Sequence, residues 1–188
     1  MIAGHFGLAA AIKGREPAVP LWALSLAVVW LDLAFLPLFV AGIETLEVPP
    51  GTSGYGAAII HADWTHSVVG AALLSLLLGG LGGGAWGRRA GVVLGLAAAS
   101  HWVLDLVVHR ADLPVLPGNW GGLPLLGLGL WRWPLASACA EAALVVLGAA
   151  LYARAARSLP ARRDLGRLNA LLILLAGLAT LGIDLAGL

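Results

Sequence analysis

The chain has 188 residues, of which 60% are hydrophobic and only 11% are charged, and its formal net charge is +1. Soluble domains carry about 25% charged residues on average, so this composition excludes an ordinary water-soluble fold. The basic residues are scattered among loops, which predicts no nucleic-acid partner. The single cysteine, Cys139, excludes an internal disulfide and a cysteine-rich metal site.

The first apolar segment, residues 1–12, is too short to span a bilayer and lacks the basic start of a signal peptide. It predicts a half-inserted helix, because a non-spanning element is tolerated at membrane depth where protein surrounds it. At a rise of about 1.5 Å per residue, His5 would then lie about 12 Å above Lys13 and approach His101 from below.

Five longer apolar segments follow, each close to the roughly 20 residues that a transmembrane helix needs. They cover approximately residues 19–40, 64–81, 90–108, 134–152 and 165–185. Gly82 to Gly84 predict a turn after the second span, and Pro134 suits the first turn of the fourth helix. These spans and their connections use the whole chain, which predicts an all-α membrane protein with one helical bundle domain, 1–188.

The distribution of basic residues predicts the orientation of the chain. In the five-span arrangement nine of the eleven lysines and arginines fall on one side, and only Arg110 and Arg132 fall on the other. By the positive-inside rule the first side is cytoplasmic, and residues 44–55 and 112–133 face outward. Tryptophans at both predicted interfaces agree with this assignment.

Several ionisable residues interrupt the apolar spans. On the third span His101, Asp105 and His109 recur every four residues, which places them on one helix face. Asp32 and His66 reach a similar depth, in the outer half of the bilayer. An ionisable residue inside a span costs about 2.5 to 3.5 kcal/mol, so such residues usually serve a function. A buried hydrogen-bonded pair that joins two helices is the alternative interpretation of His101 and Asp105.

Imidazole nitrogens and carboxylate oxygens together suit zinc best, with manganese or iron also acceptable, whereas magnesium and calcium need mainly oxygen ligands. A metal site that activates water also needs a group that handles protons, and Asp63 and Glu141 are the candidates. Each has a structural alternative. Asp63 precedes the second helix and can cap it, and Glu141 can form an interhelical hydrogen bond.

These residues resemble the YdjM-like bacterial inner-membrane proteins, a family described as membrane-bound metal-dependent hydrolases. The likeness covers about residues 1–125 and rests on Gly4-His5, Asp32, His61-Ala62-Asp63-Trp64-Thr65-His66-Ser67 and Ser100-His101-Trp102-Val103-Leu104-Asp105. It implies a bacterial inner-membrane location and a metal held by His5, Asp32, His61, His66, His101 and Asp105.

The chain departs from the family pattern in two places. Ala62 and Asp63 replace an arginine and a glycine of the second motif, which removes a group able to clamp phosphate. The first helix keeps one acidic residue, Asp32, where the family has a pair. The His-x-x-x-Asp pattern also resembles one helix of the zinc-dependent phospholipase C fold, which implies a phosphoester or lipid substrate.

The leading hypothesis is therefore a metal-dependent membrane hydrolase with an outward-facing site, which a lipid or lipid-linked substrate reaches from the bilayer. A second hypothesis is an ion transporter, since buried carboxylates and histidines also mark ion pathways. The absence of an internal repeat weakens it. A third is a structural or electron-transfer subunit of a larger membrane complex, with His66 and His101 as axial haem ligands, although Asp32 and Asp105 suit a hard metal better.

Overall fold

A computed structural model describes residues 1–52, 56–158 and 163–186, without the side chain of residue 163. Within these residues the chain forms seven α-helices and one two-stranded hairpin. The elements are α1 (Ile2–Arg15), α2 (Leu21–Val28), α3 (Trp30–Val40), β1 (Thr45–Glu47), β2 (Ile59–His61), α4 (Val68–Trp86), α5 (Arg88–Val108), α6 (Pro134–Ala156) and α7 (Arg163–Ala186). The prediction of an all-α membrane protein is confirmed in its fold class.

Four helices, α4 to α7, are long and apolar enough to cross a membrane. The predicted span at residues 19–40 is not one continuous helix, because α2 and α3 meet at a bend of 53°. The described residues therefore contain four candidate spans, or five if the bent pair crosses the bilayer as a unit. Pro134 is the first residue of α6, as predicted.

The turn predicted at Gly82 to Gly84 is wrong. Helix α4 continues to Trp86, and the chain turns at Gly87, whose φ is +85°. The glycines serve helix packing instead: a Cβ atom on Gly91 of α5 would lie only 2.7 Å from Gly83 Cα of α4. Small residues let two transmembrane helices approach closely, and a glycine run inside a helix gives the same sequence signal as a turn.

Helix α1 packs inside the bundle, mainly against α6 and α7. Its backbone touches that of α6 directly, because a Cβ atom on Gly148 would overlap the carbonyl oxygen of Gly7. This contact holds the N-terminal helix among the long helices and leaves His5 only 1% exposed. The helix expected over residues 1–12 is thus present, and it continues to Arg15.

An ion pair joins the end of α1 to the start of α5. Arg89 donates two hydrogen bonds, of 2.8 and 2.9 Å, to the two carboxylate oxygens of Glu16. The guanidinium holds the pKa of the Glu16 carboxyl below its usual value, and the exposed pair contributes little to stability. The basic residues that flank α1 and α5 therefore lie at the same end of the bundle.

The hairpin was not predicted, because strands of three residues leave little alternating pattern in a sequence. Strands β1 and β2 are antiparallel, and Thr45 lies opposite His61. This register brings the start of β1, next to Glu44, close to the residues that follow β2 and lead into α4. The hairpin thereby connects a loop carboxylate to the polar cluster in the bundle.

Candidate metal centre

Ionisable side chains from four parts of the chain converge inside the bundle. His5 comes from α1, Asp32 from α3, His66 from the turn before α4, and His101 and Asp105 from α5. Their ligand atoms form two groups that can hold a metal ion, His5 with His101 and Asp105, and Asp32 with His66 and His101. Four of the five residues are buried, whereas the Asp32 side chain is 41% exposed.

Helix α5 orients two of these side chains along one face. His101 and Asp105 are four residues apart, and His101 Nε2 lies 3.0 Å from Asp105 Oδ2. The other ring nitrogen, Nδ1, lies 2.7 Å from the carbonyl oxygen of Val28. A carbonyl can only accept, so Nδ1 carries a proton and, in the neutral ring, Nε2 presents a lone pair to the cluster.

The bend between α2 and α3 makes the carbonyl of Val28 available. In an unbroken helix this oxygen would accept the backbone N–H of Asp32, four residues later. Val29, between the two helices, has φ −118° and ψ 17°, outside the helical range. The break in the predicted first span therefore supplies the group that orients His101.

A chain of hydrogen bonds orients His66 in the same way. Its Nδ1 lies 2.9 Å from Thr65 Oγ1, which lies 3.1 and 3.0 Å from the two carboxylate oxygens of Glu44. The carboxylate accepts the single hydroxyl proton, so the hydroxyl oxygen must accept from Nδ1. The Nε2 lone pair of a neutral His66 is therefore also directed into the cluster.

Glu44 is held firmly enough to act as this anchor. Its Oε1 accepts the backbone N–H groups of Trp64 and Thr65, both at 2.8 Å, and the residue is fully buried. A carboxylate removed from water needs such donors to offset the cost of burial. The hairpin and the turn before α4 thus fix Glu44, which orients His66 through Thr65.

The unprotonated Nε2 atoms of His66 and His101 face each other. His66 Nε2 and His101 Nε2 are 3.2 Å apart, and in the neutral tautomers that their partners select neither nitrogen has a proton to donate. Two lone pairs at hydrogen-bond distance repel each other unless a cation lies between them. Either a proton on one ring or a metal ion meets this requirement.

Five distances among four ligand atoms lie near those of a small coordination shell, although Asp32 and Asp105 belong to different groups of ligand atoms. Asp32 Oδ1 lies 3.5 Å from both Nε2 atoms, and Asp105 Oδ2 lies 3.0 Å from His101 and 3.7 Å from His66. Tetrahedral zinc with bonds of about 2.0 to 2.1 Å gives ligand-to-ligand distances of about 3.3 to 3.4 Å. The donor set and its spacing therefore fit a divalent metal ion.

His5 completes the cluster from α1. Its Nε2 lies 3.2 Å from Asp105 Oδ1, whereas His101 contacts the other carboxylate oxygen, and its ring stacks on that of His101 with centroids 4.0 Å apart. Within the described part of the chain, the buried Nδ1 of His5 has no hydrogen-bond partner. The half-helix interpretation correctly brings His5 to His101.

Three other predicted site residues lie elsewhere. Glu141 is fully buried, and its carboxylate accepts the backbone N–H of Gly4 at 2.9 Å, near the start of α1. His61 is exposed at the end of β2, opposite Thr45. Asp63 is half-buried, and its carbonyl oxygen accepts from Gly118. None of the three is in the two groups that can hold a metal.

His109 extends the α5 face beyond Asp105. Its Nε2 lies 3.9 Å from Asp105 Oδ2, and its Nδ1 lies 2.9 Å from Asp112 Oδ1. The ring also packs against Trp131, with centroids 4.4 Å apart. His109 is therefore a buried neighbour of the cluster and not a solvated surface residue.

A cavity of about 810 Å³ opens over the cluster. The five converging residues and His109 line one part of it, and the rest of the lining is largely apolar, from α1, α3 and the hairpin region. Leu36 of α3 and Ile2 of α1 belong to this lining and are each 52% exposed. The cavity thus connects buried polar groups with exposed apolar side chains.

Sequence reasoning missed Glu44 and Thr65 as parts of the site. Thr65 stands next to His66 in the sequence, so the presence of a hydroxyl beside a candidate ligand could have indicated its role. Glu44 gave none, because its approach to Thr65 depends on the unpredicted hairpin. Comparisons of the chain with protein-family models, with curated proteins and with solved structures found no match.

Replacing Thr65 by valine tests the orientation of His66. The substitution keeps the side-chain shape but removes the hydroxyl between Glu44 and the imidazole, and loss of such a supporting group typically costs 10- to 100-fold in metal affinity. We expect a loss of that size for zinc, measured by competition with a chelator.

Thr180→Val is the matched control, because the Thr180 hydroxyl is exposed and bonds only within α7, to the carbonyl of Ala176. Equal zinc affinity for the two valine variants would show that the hydroxyl chain does not support a ligand.

Proposed function

We propose that the protein is a metal-dependent membrane hydrolase whose metal is held by His66, His101 and Asp105, with Asp32 as an exchangeable fourth ligand. The opposed Nε2 atoms of the two histidines, 3.2 Å apart with both outer nitrogens engaged, carry this proposal. All four line the cavity, but the three permanent ligands are buried, whereas the side chain of Asp32 is 41% exposed. Catalytic zinc sites commonly combine three protein ligands with one exchangeable position.

Zinc is the metal we favour, because imidazole nitrogens and carboxylate oxygens suit its tetrahedral coordination, and manganese or iron remain compatible with the donor types. A divalent cation in this position would polarise a substrate carbonyl or phosphoryl oxygen and lower the pKa of water toward about 7. The chain must then accept a proton. Asp32 is the carboxylate best suited to take it, since its side chain is 41% exposed to the cavity.

His5 and Glu141 receive positioning roles in this proposal. His5 Nε2 donates to Asp105 Oδ1 and so leaves Oδ2 for the metal. Glu141 accepts from Gly4 N and holds the start of α1, which carries His5. The sequence-based assignment of proton transfer to Glu141 or Asp63 is therefore replaced by Asp32. His61 is omitted from the ligand set because it is exposed on the hairpin.

A lipid or lipid-linked substrate fits the cavity best. Its walls are mainly apolar, and its lining residues Leu36 and Ile2 are half-exposed. In this proposal a molecule that is dissolved in the bilayer reaches the cluster past these exposed apolar side chains. This path supports the proposed multi-pass location in a bacterial inner membrane, for which the motifs that resemble the YdjM-like family are the other support.

The two competing functions are less well supported by the geometry. Axial haem ligands on opposite sides of an iron lie about 4 Å apart with a porphyrin between them, and the 3.2 Å between the Nε2 atoms leaves no room for one. An ion transporter would need a path through the bundle. The cavity beside the cluster does not by itself provide such a path.

Asp105→Asn separates a metal centre from a plain interhelical hydrogen-bond network. An asparagine is a weak neutral ligand, so the metal proposal predicts that bound metal falls from stoichiometric to near zero, as it also does in His101→Ala. In a hydrogen-bond network the amide would still donate and accept. Such a bond averages only about 0.6 kcal/mol, so the change would be mild. Elemental analysis of protein purified without a histidine tag gives the metal content.

Asp63→Asn provides the matched control, because it makes the same chemical change outside the cluster and should retain the metal. Full metal content in both Asp105→Asn and His101→Ala would contradict the proposed centre. A Soret band in the visible spectrum of the wild type would instead favour the haem-binding alternative.

We also propose that the end of the bundle with Glu16 and Arg89 faces the cytoplasm and that the hairpin faces outward, in line with the basic residues. In a Cys139→Ser background, Glu47→Cys on β1 should react with a membrane-impermeant thiol reagent in intact cells. Ser158→Cys, at the opposite end, should react only after lysis. The reverse pattern would invert the orientation.

A further inference from the structure

The charge of the cavity lining restricts the chemistry of what it can take. Among the described residues that line it there is no lysine or arginine. In the described lining, the positive charge that faces a substrate would therefore come from the α-amino group of Met1 and the proposed metal ion when the histidines are neutral.

Arg110 is the basic residue nearest to the cluster in sequence, and its guanidinium is already engaged. It donates to the carbonyl oxygens of Gly56, Ala57 and Ala58, at 2.7, 3.3 and 3.4 Å. All three accepting residues line the cavity, whereas Arg110 does not. Arg110 thus holds the wall in place and is not presented to a bound molecule.

Negative charge, in contrast, is abundant. Asp32, Asp105 and Asp184 all line the cavity, so three carboxylates balance a divalent cation and the α-amino group of Met1 when the histidines are neutral, and no excess positive charge is left for an anion. A phosphate or phosphodiester group would add a further negative charge in surroundings of low dielectric constant, where like charges repel strongly. Proteins that bind phosphoryl groups supply arginine, lysine or several metal ions to avoid this repulsion.

We propose that the substrate is a lipid with an uncharged ester or amide as its reacting group, and that its hydrocarbon chain lies against Leu33 and Leu36 of α3. This inference rests on the proposed metal centre. Hydrolysis would join the oxygen of water to the acyl carbon and break the bond from that carbon to the ester oxygen or amide nitrogen. One proton of the water goes to the leaving atom, and the other leaves with the carboxylic acid.

Two amphiphiles with similar chains but different head groups test the inference. Lauroyl hydroxamic acid is uncharged at neutral pH, and dodecylphosphonate is anionic, whereas both head groups bind zinc. Calorimetric titration of zinc-loaded protein in neutral detergent should show at least about tenfold tighter binding of the hydroxamic acid. Acetohydroxamic acid, which lacks the chain, should also bind at least about tenfold more weakly than the lauroyl compound.

Leu36→Gln should weaken binding of the lauroyl compound, whereas Leu73→Gln, at a residue that is 61% exposed on α4 and outside the cavity, should not. Equal or tighter binding of the phosphonate, no dependence on the chain, or no binding of either amphiphile to protein that retains its zinc would overturn the inference while the metal centre stands. Wild-type protein that retains no zinc would instead refute the proposed function itself.

Discussion

The structure depends on two imidazole nitrogens that face each other 3.2 Å apart inside an apolar bundle. His101 is fixed by the carbonyl of Val28 and His66 by Thr65, so neither ring can turn to relieve the contact without losing a buried hydrogen bond. A lost buried hydrogen bond costs about 1 to 3 kcal/mol. A cation between the rings removes this conflict, and the carboxylates of Asp32 and Asp105 supply the compensating charge.

Three irregular features of the fold follow from this arrangement. The bend between α2 and α3 releases the Val28 carbonyl, and the hairpin brings Glu44 to Thr65. Helix α1 is too short to span the bilayer, and its close contact with α6 holds it inside the bundle. His5 of α1 can therefore contact Asp105. Each feature departs from a simple bundle of spanning helices, and each one brings a group to the ligands or to the residues that orient them.

The sequence predicted the long helices because apolar length is a strong local signal, and it predicted the convergence of His5, Asp32, His66, His101 and Asp105 from depth and helical spacing. It could not predict the hairpin or the role of Glu44, since both depend on contacts between segments about 20 residues apart in the chain. It also mistook glycines that pack α4 against α5 for a turn, because composition does not distinguish the two uses. His61 and Glu141 were grouped with the site by motif or depth, which do not determine the direction of a side chain.

X-ray absorption at the zinc edge of the zinc-loaded protein identifies the ligands that surround the metal. Zinc bound between His66 and His101 should show four nitrogen or oxygen ligands at about 2.0 Å, of which two are imidazoles, and His66→Ala should lose one imidazole. A shell without imidazole, or a spectrum that His66→Ala leaves unchanged, would contradict zinc binding between these histidines.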